Sequence, residues 1–183
     1  MNAPIQPGAA RKFVTAGNAR FTVRNATTGN RFTFRVRAVR DGAVSFVSVL
    51  TGSDNEAAYS YLGFIRGGDY IHGGRRAKIG PQAQSAQVFA WFWRNLDKLP
   101  AQVEVWHDGR CGRCARALTV PESVASGLGP ECAGKLGAHR HAPRESLEAA
   151  ELEMQRLEAE GDREQSEREE VAKIAARDAM EAA

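Results

Sequence analysis

A chain of 183 residues, 43% of them hydrophobic, suits one domain with an appendage or two small units. No apolar run approaches the ~18 residues of a membrane span, and the opening MNAPIQPGAARKF lacks the apolar centre of a signal peptide, so a soluble, cytoplasmic protein with no membrane partner is expected. The net charge of +3 is unevenly spread: residues 1–143 hold 19 basic and 9 acidic side chains, residues 144–183 hold 6 and 13. A body carrying +10 favours anionic partners such as nucleic acid.

Residues 1–18 are rich in Pro, Gly, Ala and Asn and read as a flexible N-terminal arm. From Arg20 the pattern turns to period two. Phe21 and Val23 share one face, with Arg20, Thr22 and Arg24 on the other. After the turn-like Asn25–Asn30, Phe32, Phe34, Val36 and Ala38 alternate with Arg31, Thr33, Arg35 and Arg37. Paired as a hairpin, these strands set five arginines on one solvent face above an aromatic core face. Like charges on neighbouring strands repel, so the arrangement either awaits an anion or protects a sheet edge from aggregation.

Asp41-Gly42 signals a second hairpin leading into a third strand, AVSFVSVLT. Tyr59, Tyr61 and Phe64 fit a fourth strand, and tyrosines close to arginines are able to stack bases, although alternating aromatics more often belong to a core. Arg66–Asp69 fits a turn before a short fifth strand at Tyr70-Ile71. Arg75 and Arg76 follow in a basic, glycine-rich loop that lacks the Gly-Lys-Ser/Thr ending of a phosphate loop. From Pro81 to Leu96 the period becomes helical, with Ser85, Val88, Phe89, Phe92 and Leu96 in a stripe flanked by Trp91 and Trp93. Pro100 ends that segment, and a strand through Val103 and Val105 delivers His107.

The three cysteines stand as Cys111-x2-Cys114, then Cys132 after seventeen residues. Three thiols and an imidazole at such spacings suit a closed, structural Zn2+ site. His107 is the preferred fourth ligand because its strand runs into the knuckle, and His139 and His141 are the alternatives. Pro130 suits the first position of a helix, so Cys132 falls in its first turn, where the helix dipole favours a thiolate. Thr119 reads as the cap of a short helical turn begun by Pro121. A zinc with three protein ligands would be open to catalysis, but Glu131 is the only nearby carboxylate and the order of a deaminase signature is missing. No enzyme activity is expected.

The stretch CGRCARALTVPESVASGLGPECAG resembles a small zinc-binding family of unknown function from bacteriophage and actinobacterial proteins. Its pattern is Cys-x-x-Cys-Gly-Arg-x-Leu-Thr, then Pro-x-Ser, then Gly-Ile-Gly-Pro-x-Cys. Cys111, Cys114, Arg116, Leu118, Thr119, Pro121, Ser123, Gly127, Gly129, Pro130 and Cys132 match in place, while Ala115 stands where the pattern has Gly and Leu128 where it has Ile. The stretch Asp54–Ile65 resembles upstream parts of some phage proteins of this group. The resemblance implies a phage-encoded protein associated with nucleic-acid metabolism.

Residues 143–183 are rich in Ala, Glu, Arg and Leu without an aromatic, and read as an acidic helical tail with thin apolar stripes that offer self-association. The fold expected is therefore α+β: a small twisted antiparallel sheet over residues 19–106 with one packed aromatic helix, a zinc-knuckle unit over 107–142, and a charged C-terminal helix. The expected function is nucleic-acid binding, to DNA or RNA or to a nucleic-acid-handling complex, through Arg20, Arg24, Arg31, Arg35, Arg37, Arg75 and Arg76. The alternative is a protein-interaction module that engages or inhibits a host enzyme.

Overall fold

The alternating runs become five consecutive strands joined as a meander: β1 (Asn18–Asn25), β2 (Arg31–Val39), β3 (Val44–Leu50), β4 (Tyr59–Arg66) and β5 (Asp69–His72). The structure is a computed structural model, which describes residues 4–39 and 42–136. Helix α1 (Ala10–Val14) precedes the meander. After β5 the chain crosses one face of the sheet as helix α2 (Gln84–Asn95) and returns as β6 (Val103–His107) against the free side of β1. The result is a mixed α/β architecture built on one six-stranded antiparallel sheet of order β5-β4-β3-β2-β1-β6.

The period-two pattern dictates which face closes. Phe21 pairs across from Phe34 in the β1–β2 ladder, and both rings are buried. Helix α2 presents Phe89 and Phe92 to that face: Phe89 meets Phe34 at 5.0 Å and Tyr70 at 4.8 Å between ring centroids, and Phe92 meets Phe21 at 5.4 Å. Offset and edge contacts of this kind add to the burial of each ring. Trp93 is buried too, and its indole N–H reaches the Gly68 carbonyl oxygen at 2.9 Å, which satisfies the one polar atom that burial would otherwise orphan.

The first eighteen residues, expected as a flexible arm, are instead built into the core from Pro4 onward. Ile5 donates its N–H to the Val105 carbonyl oxygen along the outer edge of β6, and helix α1 buries Ala10, Phe13 and Val14. The physical reason is a covering requirement: β6 is an edge strand, and its unpaired backbone groups are satisfied by this segment. Arg11 is held as well, lying 5.2 Å over the Trp93 ring and pairing with Asp97.

On β4 a one-residue bulge opposite Val47 and Ser48 inserts Leu62, which is fully buried. A bulge resets the alternation. Tyr59 and Tyr61 before it, and Phe64 and Arg66 after it, consequently share the face that α2 leaves open. Among the described residues no helix is long and apolar enough to cross a membrane.

Candidate metal centre and the open face of the sheet

The knuckle begins where β6 ends. The Cys111 N–H donates to the Arg116 carbonyl oxygen, and the Cys111 carbonyl accepts from the Ala115 N–H, closing a tight turn around Cys114. Helix α3 (Pro121–Ser126) follows, then Gly127 to Gly129, then helix α4 (Pro130–Lys135), with Pro130 at its start and Cys132 in its first turn. The residue preceding α3 is Val120, and no side chain caps that helix, so Thr119 does not take the role expected of it.

Phe13 of α1 is the piece that seats the knuckle on the sheet. A Cβ built on Gly127 would lie 2.4 Å from its ring, and one on Gly112 would lie 2.7 Å away. Only glycine allows these two backbone segments, joined by the Gly112 N–H to the Gly127 carbonyl oxygen, to close on the same edge of the ring. A second, smaller core of Ala16, Cys111 and Leu128 sits behind this contact, with Leu118, Cys132 and Leu136 packed on it.

The sulfurs of Cys111, Cys114 and Cys132 lie within 4.8 Å of one another, and no other His, Asp or Glu of the described residues joins them. Tetrahedral zinc with bonds near 2.3 Å needs thiolates about 3.8 Å apart, so small side-chain adjustments bring this trio to a metal. The donors around Cys111 suit the charged form. Burial pushes its thiol pKa up, but backbone N–H groups of Cys114, Gly129 and Arg113 more than offset this and bring it down to about 7, the Gly129 N–H lying 3.5 Å from the sulfur. Cys132 goes the other way, up to about 11, through burial and its neighbouring sulfurs, as expected where several thiols compete to hold one negative charge. A metal ion removes that competition by binding all three as thiolates. The three cysteines thus fit a metal centre.

His107 is placed differently from the expectation. Its ring is buried against Phe13, with centroids 5.7 Å apart. Its Nε2 lies 2.8 Å from the Val124 carbonyl oxygen, and its Nδ1 accepts the Gly109 N–H at 3.1 Å. Those two contacts define the neutral Nε2–H tautomer and use both nitrogens, so the imidazole acts as a structural clamp between β6 and α3. His139 and His141 lie outside the described residues. A cleft of about 220 Å3 adjoins the thiols and is also lined by Leu118, Thr119 and Glu131, the last being near the site but outside the sulfur group.

One non-glycine residue among those described has a left-handed backbone: Ala115, φ 59°. It is the position at which the motif pattern carries Gly. The knuckle requires a left-handed residue directly after Cys114, and a Cβ there costs roughly 1 kcal/mol relative to glycine.

The open face carries the arginines in the expected register. Arg20 lies opposite Arg35, Arg24 opposite Arg31, and Thr22 opposite Thr33 between them. What sequence reasoning missed is the set of acids that meets them. Arg20 forms ion pairs with Glu56 at 2.8 Å and Asp108 at 2.7 Å, and donates to the Asn55 carbonyl oxygen at 2.9 Å. Burial alone would lower its pKa, yet these carboxylates raise it, so Arg20 is locked as a cation. Arg24 pairs with Glu104 at 3.3 Å. Arg35 lies 4.2 Å over the Tyr59 ring and donates to the Glu56 carbonyl oxygen. Arg31 and Arg37 have no carboxylate partner among the described residues. Glu56 and Asn55 belong to the β3–β4 loop, which Asp54 pins by accepting the N–H groups of Glu56 and Ala57, contacts that also hold its carboxyl below its ordinary pKa. The signal for these acids was their spacing: Glu56 stands in an acidic loop, and Glu104, Trp106 and Asp108 follow at period two along and just beyond β6.

Arg75 and Arg76 do not join this group. They occupy a short 3-10 turn after β5, at the far edge of the sheet from β1. His72 ties that loop to the chain on both sides: it accepts the Gly74 N–H at Nδ1, and its Nε2 lies 3.1 Å from the Ile79 carbonyl oxygen.

Residues 105–137 match a family of unknown function (DUF6011), the same span as the cysteine motif. No curated protein and no solved structure matches the chain.

Proposed function

We propose that this is a small zinc-binding accessory protein of the cytoplasm, phage-encoded as the motif resemblance implies, in which zinc is structural and the open sheet face binds nucleic acid. The observation that carries the reading is the pair of arginine rows, Arg20 with Arg35 and Arg24 with Arg31, on the one face no described helix covers. Directly opposed like charges destabilise a sheet, and carboxylates offset the repulsion at Arg20 and Arg24 of β1 through Glu56, Asp108 and Glu104. Arg31 and Arg37, toward the centre, are placed to take phosphates, while Arg20 and Arg24 serve the architecture. The three cysteines would hold zinc and supply folding energy to the knuckle, with no reaction assigned to it.

Fluorescence anisotropy with labelled DNA and RNA, titrated from roughly 50 to 200 mM salt, tests this. Binding should fall steeply with salt, and changing Arg31, Arg35 and Arg37 together to Ser should flatten the slope by about one unit for each phosphate left without its arginine. Unchanged binding by the triple variant sinks the reading.

A second reading has its own support. Phe46 lies opposite Phe64, which lies opposite Ile71, and Ile71 is 45% exposed. This apolar row on the β3–β5 half would suit a protein partner of a host enzyme complex. It predicts a stoichiometric partner that survives nuclease treatment and no longer binds after Ile71→Asp.

A further inference from the structure

On the β6–β1 half of the open face, roofed by the β3–β4 loop, lies a cleft of about 430 Å3, within the size range of small-ligand sites. Its floor holds the hydroxyls of Thr22 and Thr33, 2.8 Å apart. Tyr59 and Trp106 supply aromatic walls, and the Arg20–Asp108 pair closes one side. We infer that this cleft takes a single unpaired nucleobase, so that the nucleic acid bound is single-stranded. The inference rests on the nucleic-acid reading above and names its substrate class.

Charge argues for a base over a phosphate at this spot. The charged side chains lining the cleft are Arg20 and Arg110 against Glu56 and Asp108, and they balance. A phosphate gains nothing there, whereas Arg31 and Arg37 lie outside the cleft on β2, where a backbone would run. A neutral planar ring with donors and acceptors on its edge suits a balanced polar pocket with aromatic walls.

Both rings are held before any ligand arrives. The Trp106 indole N–H donates to Glu104 Oε2 at 2.9 Å, and Glu104 is in turn fixed by Arg24. Arg35 sits on Tyr59 at 4.2 Å. Stacking on rings that are already oriented costs less ordering on binding. The ion-paired arginines thereby acquire a role: they orient aromatics. Tyr59 Oη is shut off from solvent beside the Arg20 guanidinium, so the ring rather than the hydroxyl is what the cleft presents. The Thr22–Thr33 pair, free to exchange donor and acceptor roles, offers contacts without demanding a particular base. A duplex keeps its bases stacked and paired, so it has no base to place here.

The test uses the full chain and three labelled probes of equal length: a mixed-sequence single strand of about 12 nucleotides, its duplex, and an abasic single strand with the same phosphates. The intact strand should bind about tenfold tighter than the abasic strand and than the duplex, in line with the stacking of one base. Trp106→Leu should bring the intact strand down to the abasic level while leaving abasic binding unchanged. Tyr59→Leu, which removes the second aromatic wall, should weaken the intact strand severalfold, and it decides the matter if the tryptophan variant does not fold. If abasic and intact strands bind alike, or neither variant weakens the intact strand, the base site is overturned and the arginine rows keep their phosphate role. If no strand binds at all, the nucleic-acid reading fails and this inference with it.

Discussion

The two faces of the sheet are written with the same period and end with opposite fates. On one, Phe21, Phe34 and their neighbours disappear under α1 and α2. On the other, Arg20, Arg35, Tyr59 and Trp106 stay partly exposed, each fixed by a polar neighbour rather than by a layer of packing. Closing a face by burial gives stability that is proportional to area and indifferent to direction. Ordering a face by ion pairs gives little stability, because exposed pairs are worth at most about 1 kcal/mol. It does give orientation. Perturbing the closed face should therefore unfold the protein, and perturbing the open face should alter binding while the fold persists.

The largest effect is expected at the proposed zinc centre. Cys114→Ser, or chelation of the wild type, should unfold residues 108–136 while β2 to β4 keep their amide protection, because structural zinc supplies on the order of 10 kcal/mol to such knuckles. Hydrogen exchange with a parallel metal count of one zinc per chain measures both halves. A variant that loses the metal yet protects the same amides would break the link between site and fold.

Phe13→Ala comes next. It removes a fully buried ring that touches Phe21, His107 and two backbone glycines, and should cost about 3–5 kcal/mol in a denaturant titration. A loss below about 1 kcal/mol would mean that knuckle and sheet are independent.

On the open face, Glu104→Gln should leave the stability within about 0.5 kcal/mol of wild type. It frees Arg24 while keeping a hydrogen-bonding partner for Trp106, so nucleic-acid binding should gain about one unit of salt slope. A stability loss comparable to that of Phe13→Ala would erase the contrast between the faces. The smallest effect is Ala115→Gly, expected to stabilise the knuckle by up to about 1 kcal/mol by relieving its left-handed backbone. Destabilisation there would mean that the freedom glycine gains in the unfolded chain outweighs the relief.

Much of this was legible in the chain. Alternation located β1 and β2 and their mutual register, because a one-residue slip would have put Phe21 and Phe34 into solvent. The helical stripe located α2, since Phe89, Phe92 and Leu96 fall on one face of a helical repeat. The cysteine spacing assembled the three sulfurs. Composition failed at the N-terminus, where a Pro- and Ala-rich opening concealed Phe13 and the strand edge it covers. It failed too at His107, whose proximity to the knuckle says nothing of where its nitrogens point.

By itself, then, the sequence determined everything carried by local period and spacing: which strands pair first, which helix is amphipathic, which thiols converge. Only the tertiary structure decided what depends on partners distant in the chain. Arg20 meets Glu56 and Asp108 because β6 returns beside β1 and the β3–β4 loop folds over them. Tyr61 and Phe64 share a face because Leu62 bulges into the core. Ala115 shows its strain only once the knuckle has closed. Period is a property of neighbours along the chain, whereas charge neutralisation and the lining of a cleft belong to contacts that exist only after it folds.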